Sequence, residues 1–241
     1  MAASCVPVID MQDIAGLPEK LVKAFENWGC LRLINHGVSE TLMSEVKAIA
    51  WSLLDLPTEI KMRNASPGEG QGYTPPNNAS PFFEGIGIYD MAALGAIDDF
   101  CYQLGASSQQ RYRLATLVIK DDDEIIGGLE AVNKITGELV PVDPMPGTLV
   151  INVGDIAKVW SNGRFCNVKH RVQCYEPAIR ISVAFFVLGP RDAKIETRPE
   201  LVDSEHPNIY TPIDFDEYRK LRTTTKAPTG RALDLFRATV S

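Results

Sequence analysis

Several features that define particular protein classes are missing from this chain of 241 residues. No apolar run approaches the roughly 20 residues that a membrane-spanning helix needs, so no membrane partner is expected. The opening residues, MAASCVPVID, lack the basic and apolar regions of a secretion signal. The five cysteines include no C-x-x-C pair, which favours reduced thiols over a disulfide framework. We therefore predict a cytosolic or nuclear protein, with the cytoplasm as the simplest location.

Positive charge and histidine are also scarce. The net charge is −7 and the isoelectric point is near 5.1. Because affinity for nucleic acids depends on clustered Lys and Arg, this balance argues against a nucleic-acid partner. The chain has only three histidines, His36, His170 and His206, so few imidazoles are available to hold a metal ion.

The distribution of apolar residues predicts helices first and strands later. A hydrophobic content of 45% is enough to bury one substantial core. Apolar residues recur at helical spacing over 17–28 and 42–53, and Ser39 is a candidate N-cap for the second helix. From Leu129 onward, short runs such as GTLVINVGD and RISVAFFVLGP are separated by turn signals. This pattern is typical of a β-sandwich or jelly roll. We predict a mainly β fold with N-terminal helices, of the α+β class.

The stretch from Trp160 to Pro190 contains the residues that indicate chemistry. Residues two apart in a strand share a face, so Arg180 and Ser182 would lie together on the interior side. An inward arginine needs a partner, and its planar fork matches a carboxylate. A hairpin turn at Glu176–Pro177 would set Arg180 roughly 10 Å from His170 along the strands. A five-carbon keto-diacid could then bridge a metal at His170 and the guanidinium of Arg180.

An alternative interpretation of the same residues needs no ligand. His170 would be a hydrogen-bonded histidine in a sheet, and Arg180 would pair with a protein carboxylate. Spacing alone leaves both interpretations open, because a short motif is only a hypothesis.

A resemblance to a known family bears on this choice. The segments NHGV, LVINVGD, WSNGRFCNVKHRV and RIS resemble the plant Fe(II)/2-oxoglutarate-dependent dioxygenases. The segments GYTPPNNASPFFEGIGIYDMAA, GGLEAVNKITGELVPVDPMPG and LVDSEHPNIYTPIDFDEYRKLR are similar to the subgroup of dioxygenases for auxin oxidation. The resemblance implies a double-stranded β-helix (jelly roll) preceded by a helical region, here divided as residues 1–110 and 111–241.

The resemblance also implies an activity and a site. The reaction would be oxidation of indole-3-acetic acid to 2-oxindole-3-acetic acid, with 2-oxoglutarate decarboxylated to succinate and ascorbate as reductant. By this likeness, His170 would be the distal histidine ligand of Fe(II). Arg180 and Ser182 would hold the 5-carboxylate of 2-oxoglutarate.

The chain departs from the family pattern at the iron site. The family holds iron with two histidines and one carboxylate, and the first two ligands form an H-x-D shortly before the GGLE segment. This chain has no such H-x-D, and the corresponding position falls on the RYR of Arg111–Arg113. Arginine has no lone pair to offer a metal. The acidic run Asp121–Glu124 is more typical of a solvated turn, and Cys166 with His170 makes only a weak metal pair.

The departure is wider than two ligands. A long helix, the first sheet strands and a tyrosine that contacts 2-oxoglutarate are missing before LATLVIKDDDE, so we predict an incomplete jelly roll. An excised exon, an erroneous gene model or a decayed paralogue would each produce this deletion. Three outcomes stay open: an oxygenase, a catalytically inactive relative retaining at most a dicarboxylate pocket, or a poorly folded product with unpaired strand edges.

Overall fold

A computed structural model describes residues 5–65, 71–78, 80–91, 93–107, 127–173, 179–190, 192–225 and 231–238. No helix within these ranges is both long and apolar enough to cross a membrane.

The chain forms two compact units. The first comprises Met1–Gly37, Asp122–Arg180 and Val187–Ser241, and the second comprises Val38–Asp121 and Ile181–Phe186. The division of the sequence at residue 110 into a helical and a jelly-roll region stays a prediction.

Helices and strands are interspersed along the chain. The helices are α1 (Leu17–Asn27), α2 (Glu40–Leu54), α3 (Thr58–Lys61), α4 (Ala96–Leu104), α5 (Asp155–Trp160) and α6 (Phe215–Thr225). The strands are β1 (Val8–Asp10), β2 (Cys30–Ile34), β3 (Gly72–Thr74), β4 (Gly85–Gly87), β5 (Leu129–Val132), β6 (Leu139–Pro141), β7 (Leu149–Asn152) and β8 (His170–Val172). Short 3-10 turns occupy Met62–Asn64, Pro199–Leu201 and Arg231–Phe236.

Two three-stranded sheets organise the first unit. In one, β2 lies between β1, which is parallel to it, and β7, which is antiparallel. In the other, β5 lies between β6 and β8, and both pairs are antiparallel. Side chains from both sheets share one buried core: Val6, Trp28, Cys30, Leu129, Ala131, Val142, Val150 and Val168. Burial of this apolar surface is the main stabilising contribution to the unit.

The turn between α1 and β2 depends on a glycine. Gly29 has a φ of +67°, and a Cβ at this position would lie 2.0 Å from the backbone oxygen of Cys166. The close approach is fixed by two bonds to α1: the Cys166 amide donates to the Phe25 oxygen at 2.9 Å, and its Sγ donates to the Glu26 oxygen at 2.8 Å. Only glycine fits both the backbone angle and the space.

The second unit packs α2 and α4 around a core of its own. Ser39 caps α2 as predicted, accepting a hydrogen bond from the Leu42 amide at 3.2 Å. Strands β3 and β4 form an antiparallel hairpin. The buried core of the unit comprises Ile49, Leu53, Phe100, Cys101 and Leu104.

A buried ion pair joins α3 to this hairpin. Lys61 Nζ donates to Glu84 Oε2 at 2.9 Å and to the Leu54 oxygen at 2.7 Å, and the Tyr73 hydroxyl donates to the same carboxylate oxygen at 2.9 Å. Burial alone would lower the pKa of Lys61, but the hydrogen bond and charge of Glu84 outweigh it and raise that pKa. Burial likewise would raise the pKa of Glu84, yet the Lys61 and Tyr73 hydrogen bonds bring that pKa below its ordinary value.

Glu84→Gln is expected to destabilise the protein by about 2–3 kcal/mol at pH 7, because it leaves the Lys61 charge buried without its counter-charge. The effect is below that of a fully buried pair, since the Glu84 side chain is 33% exposed. Because the folded-state pKa of Glu84 is lowered, its contribution is present above its unfolded pKa and disappears as pH falls through the folded value. Urea unfolding at several pH values measures this loss of stability and its pH dependence.

Glu200→Gln, which changes an exposed pair, is the control. Equal effects of both variants would contradict the expectation.

The structure confirms the predicted N-terminal helices and strands after Leu129, where β5 pairs in antiparallel fashion with β6 and β8. The predicted strand over RISVAFFV is wrong, since residues 179–190 contain no strand. Burial alternates from Ile181 to Ala184, but Phe185 to Val187 are all exposed. An extended segment becomes a strand only when a second backbone completes its hydrogen-bond ladder. The family resemblance implies that the first sheet strands are missing from this sequence, which would leave the segment without a pairing partner.

Candidate functional site

His170 begins β8 and lies opposite Ala131 of β5. Directly paired residues of antiparallel strands project to the same face, so His170 shares the face of Leu129 and Ala131, which carries the core of the first unit. Nevertheless the side chain of His170 is exposed, and Val172 on the same face is 54% exposed. Its Nδ1 lies 3.4 Å from the Val168 oxygen. The imidazole is therefore on the interior side of the sheet and accessible to a ligand.

A glycine and an ion pair that the sequence patterns did not single out hold β8 against β5. Gly128 has a φ of +111°, and a Cβ there would lie 2.3 Å from the Gln173 oxygen, which explains a glycine in the GGLE segment. Directly beside His170, Arg171 donates to Glu130 Oε2 at 2.5 Å across the strands. The GGLE segment already marks Glu130 in the sequence. Its pairing with Arg171 could not be predicted, because it depends on the register of two strands that are distant in the sequence.

Arg180 and Ser182 differ in their environments. Arg180 is half-buried, Ile181 is buried and Ser182 is exposed. Burial therefore gives no support to an interior position for Ser182, and the expectation that both polar side chains share an interior face stays a prediction. Because the segment is not a strand, the period-two rule that placed them on one face does not apply. Binding of a carboxylate by Arg180 and Ser182 stays a prediction.

The other two histidines have partners of their own. His36 Nε2 lies 3.0 Å from the Gly147 oxygen, and His206 Nδ1 lies 3.0 Å from Asp203 Oδ1. In the part of the chain that the structure describes, no group of three or more His, Cys, Asp or Glu residues could hold a metal ion.

The position of the missing H-x-D and the other residues considered as ligands fall in two parts of the chain. Arg111–Arg113 and the acidic run Asp121–Glu124 lie outside the described residues. Cys166 is described, and its thiol donates to the Glu26 oxygen. A bound Fe(II) needs several ligands in a preset arrangement. The described residues offer His170 alone and do not fit that metal.

Comparison with known proteins identifies two matching family models. Residues 94–189 match the 2OG-Fe(II) oxygenase superfamily, and residues 6–83 match the N-terminal region described as "non-haem dioxygenase in morphine synthesis". Similar proteins include the 2-oxoglutarate-dependent dioxygenase DAO of rice, Oryza sativa, which is 36% identical, with 95% of this chain and 97% of the relative covered.

Solved structures give the same likeness. The crystal structure of the dioxygenase for auxin oxidation in rice superposes with a TM-score of 0.84 at 34% identity, covering 97% of this chain and all of that one. The dioxygenase for auxin oxidation 1 of Arabidopsis thaliana, in complex with 2-oxoglutarate, gives 0.79 at 38% identity, covering 84% of this chain and 99% of that one. These neighbours are jelly-roll oxygenases, which confirms the predicted fold class.

The alignment with the rice relative is longer than the chain itself. It runs over 292 positions, whereas the chain has 241 residues, so at least 51 positions contain no residue of this chain. The alignment thus includes almost all of this chain, and the relative has additional residues that this chain lacks. The excess agrees with the internal deletion that the missing H-x-D predicts.

Proposed function

The chain belongs to the 2OG-Fe(II) oxygenase superfamily, and from this premise we propose that its function is of the auxin-oxidation type. The reaction of that type is the 2-oxoglutarate-dependent oxidation of indole-3-acetic acid to 2-oxindole-3-acetic acid. The single observation that carries the proposal is the 36% identity to the rice DAO enzyme over 97% of its length. Its small-molecule substrate would be indole-3-acetic acid.

The residues proposed for the site are few. Arg180 would bind the 5-carboxylate of 2-oxoglutarate through its planar guanidinium, with the hydroxyl of Ser182 as a second donor. His170 would be the metal-binding histidine. Its exposed position on the interior face of β8 supports this role.

Iron chemistry itself does not fit this chain. The 241 residues contain no H-x-D before the GGLE segment, and His170 is the only described residue proposed as a ligand. One imidazole is a weak hold on Fe(II), which stands low in the affinity order of divalent metals. We therefore derive no catalytic step through iron.

This misfit favours a second candidate function: a catalytically inactive relative that retains at most a dicarboxylate pocket. Such a protein would bind 2-oxoglutarate or indole-3-acetic acid without converting them. The half-buried guanidinium of Arg180 is the feature that a dicarboxylate would use. Both candidate functions require binding of the same ligands. They differ in whether those ligands are converted to products.

Replacing Arg180 with Gln is expected to weaken 2-oxoglutarate binding by about tenfold or more, because a charge-assisted hydrogen bond contributes roughly 1.5–3 kcal/mol. Isothermal titration of the purified chain with 2-oxoglutarate measures the change. Arg198→Gln, which removes an exposed guanidinium paired with Glu200, is the matched control and should leave the affinity unchanged. Unchanged binding by the Arg180 variant would remove that residue from the site.

A further inference from the structure

A cavity of about 270 Å³ lies within the second unit, remote in sequence from the residues proposed for 2-oxoglutarate. Its walls are the 3-10 turn Met62–Asn64, the β3–β4 hairpin and α4. Gly72 and Gly87, which pair across the hairpin, leave space at one wall because they carry no side chains. The volume suits a ligand of roughly ten heavy atoms, below the range of larger ligand sites.

The walls of this cavity are fixed by contacts of their own. The Lys61–Glu84 pair ties the start of the 3-10 turn to the hairpin, and the Tyr73 hydroxyl joins the same carboxylate. Asn64 Nδ2 donates to Gln103 Oε1, which ties the turn to α4. A cavity held in this way is preorganised, so a ligand would lose little affinity to ordering of the protein.

Opposite charges and apolar surface meet in the cavity. Arg63 and Asp99 both line it. Among the described residues, neither is engaged in an ion pair. Phe100 is buried and Ile88 half-buried, and together they supply an apolar surface. Both side chains are exposed, and a ligand that pairs with both must itself carry a cation and an anion.

We propose that this cavity binds a small zwitterion of the α-amino-acid type. The carboxylate pairs with Arg63, the ammonium group with Asp99, and an apolar side chain packs against Ile88 and Phe100. Neither ligand of the proposed function matches these groups as well, because indole-3-acetic acid has no cation to pair with Asp99 and 2-oxoglutarate would place a second carboxylate near it. The proposal is independent of whether the chain oxidises auxin.

The test is titration calorimetry of the full chain with L-leucine as the probe. Saturable binding is expected, with the affinity falling at least about tenfold in Arg63→Gln and in Asp99→Asn, since each removes one charge-assisted contact. Asp98→Asn is the matched control, because Asp98 is the adjacent carboxylate of α4 and does not line the cavity. This variant should bind as the parent does.

Two analogues of the probe separate the charges. The acid without an amine, 4-methylpentanoate, and the amine without a carboxylate, isopentylamine, should each bind at least about tenfold more weakly than L-leucine. No saturable binding, equal binding of either analogue, or binding unaffected in both cavity variants would overturn the proposal. Normal thermal unfolding of the variants shows that any loss is not loss of fold.

Discussion

The purified chain, supplied with Fe(II), 2-oxoglutarate and ascorbate, is expected to form at most about a hundredth of the 2-oxindole-3-acetic acid that the rice DAO enzyme forms. Changes to residues that merely support metal ligands typically cost 10–100-fold in metal affinity or activity. Here two of three ligands are absent from the sequence, so the loss should be at least as large. Succinate and 2-oxindole-3-acetic acid, quantified together, measure the reaction.

The matched control is the same chain with the missing segment inserted from the rice relative before Leu114. The inserted version should oxidise indole-3-acetic acid, and its His170→Ala variant should not. Robust turnover by the short chain that depends on His170 would falsify the deletion account. Inactivity of the inserted version, if it folds, would count against the auxin-oxidation assignment.

Gly29→Ala is expected to be strongly destabilising, by about 3 kcal/mol or more. The left-handed backbone costs a Cβ-bearing residue roughly 1–2 kcal/mol, and relieving a 2.0 Å approach to the Cys166 oxygen requires a backbone shift of roughly 1–3 kcal/mol. Thermal and urea unfolding measure the change in stability.

A second glycine separates the two costs. Gly37 has a φ of +81°, but a Cβ added there would meet no atom within 4 Å, so Gly37→Ala should lose only the backbone part, about 1 kcal/mol. If Gly29→Ala proves no worse than Gly37→Ala, the close approach of Cys166 does not contribute to stability.

The sequence predicted the elements that depend on local patterns. Apolar spacing and the Ser39 cap predicted the second helix, because helical periodicity and capping are set by neighbouring residues. The β-branched runs likewise predicted β5 and β7. The strand over Arg180 to Val187 was predicted wrongly from an equally clear pattern, because a strand also needs a partner. Local pattern carries no information on whether that partner exists.

The sequence proposes residues for the candidate site but does not give its geometry. Resemblance assigned His170, and the register with Ala131 places it on the core-facing side of the sheet. The exposure of Ser182 could not be foreseen, because it follows from the absence of a ladder around residues 179–190. The cavity beside Arg63 and Asp99 gave no sequence signal, since its walls come from three separate segments.

The central claim is that this chain keeps the framework of an auxin-oxidising dioxygenase without its iron site. Anaerobic titration with Fe(II), followed by desalting and metal analysis, tests it most directly. We expect the chain to retain far less than one Fe(II) per molecule, with the same residual amount in His170→Ala, because a single imidazole does not select iron. Retention of about one Fe(II) per chain that disappears in His170→Ala would contradict the claim.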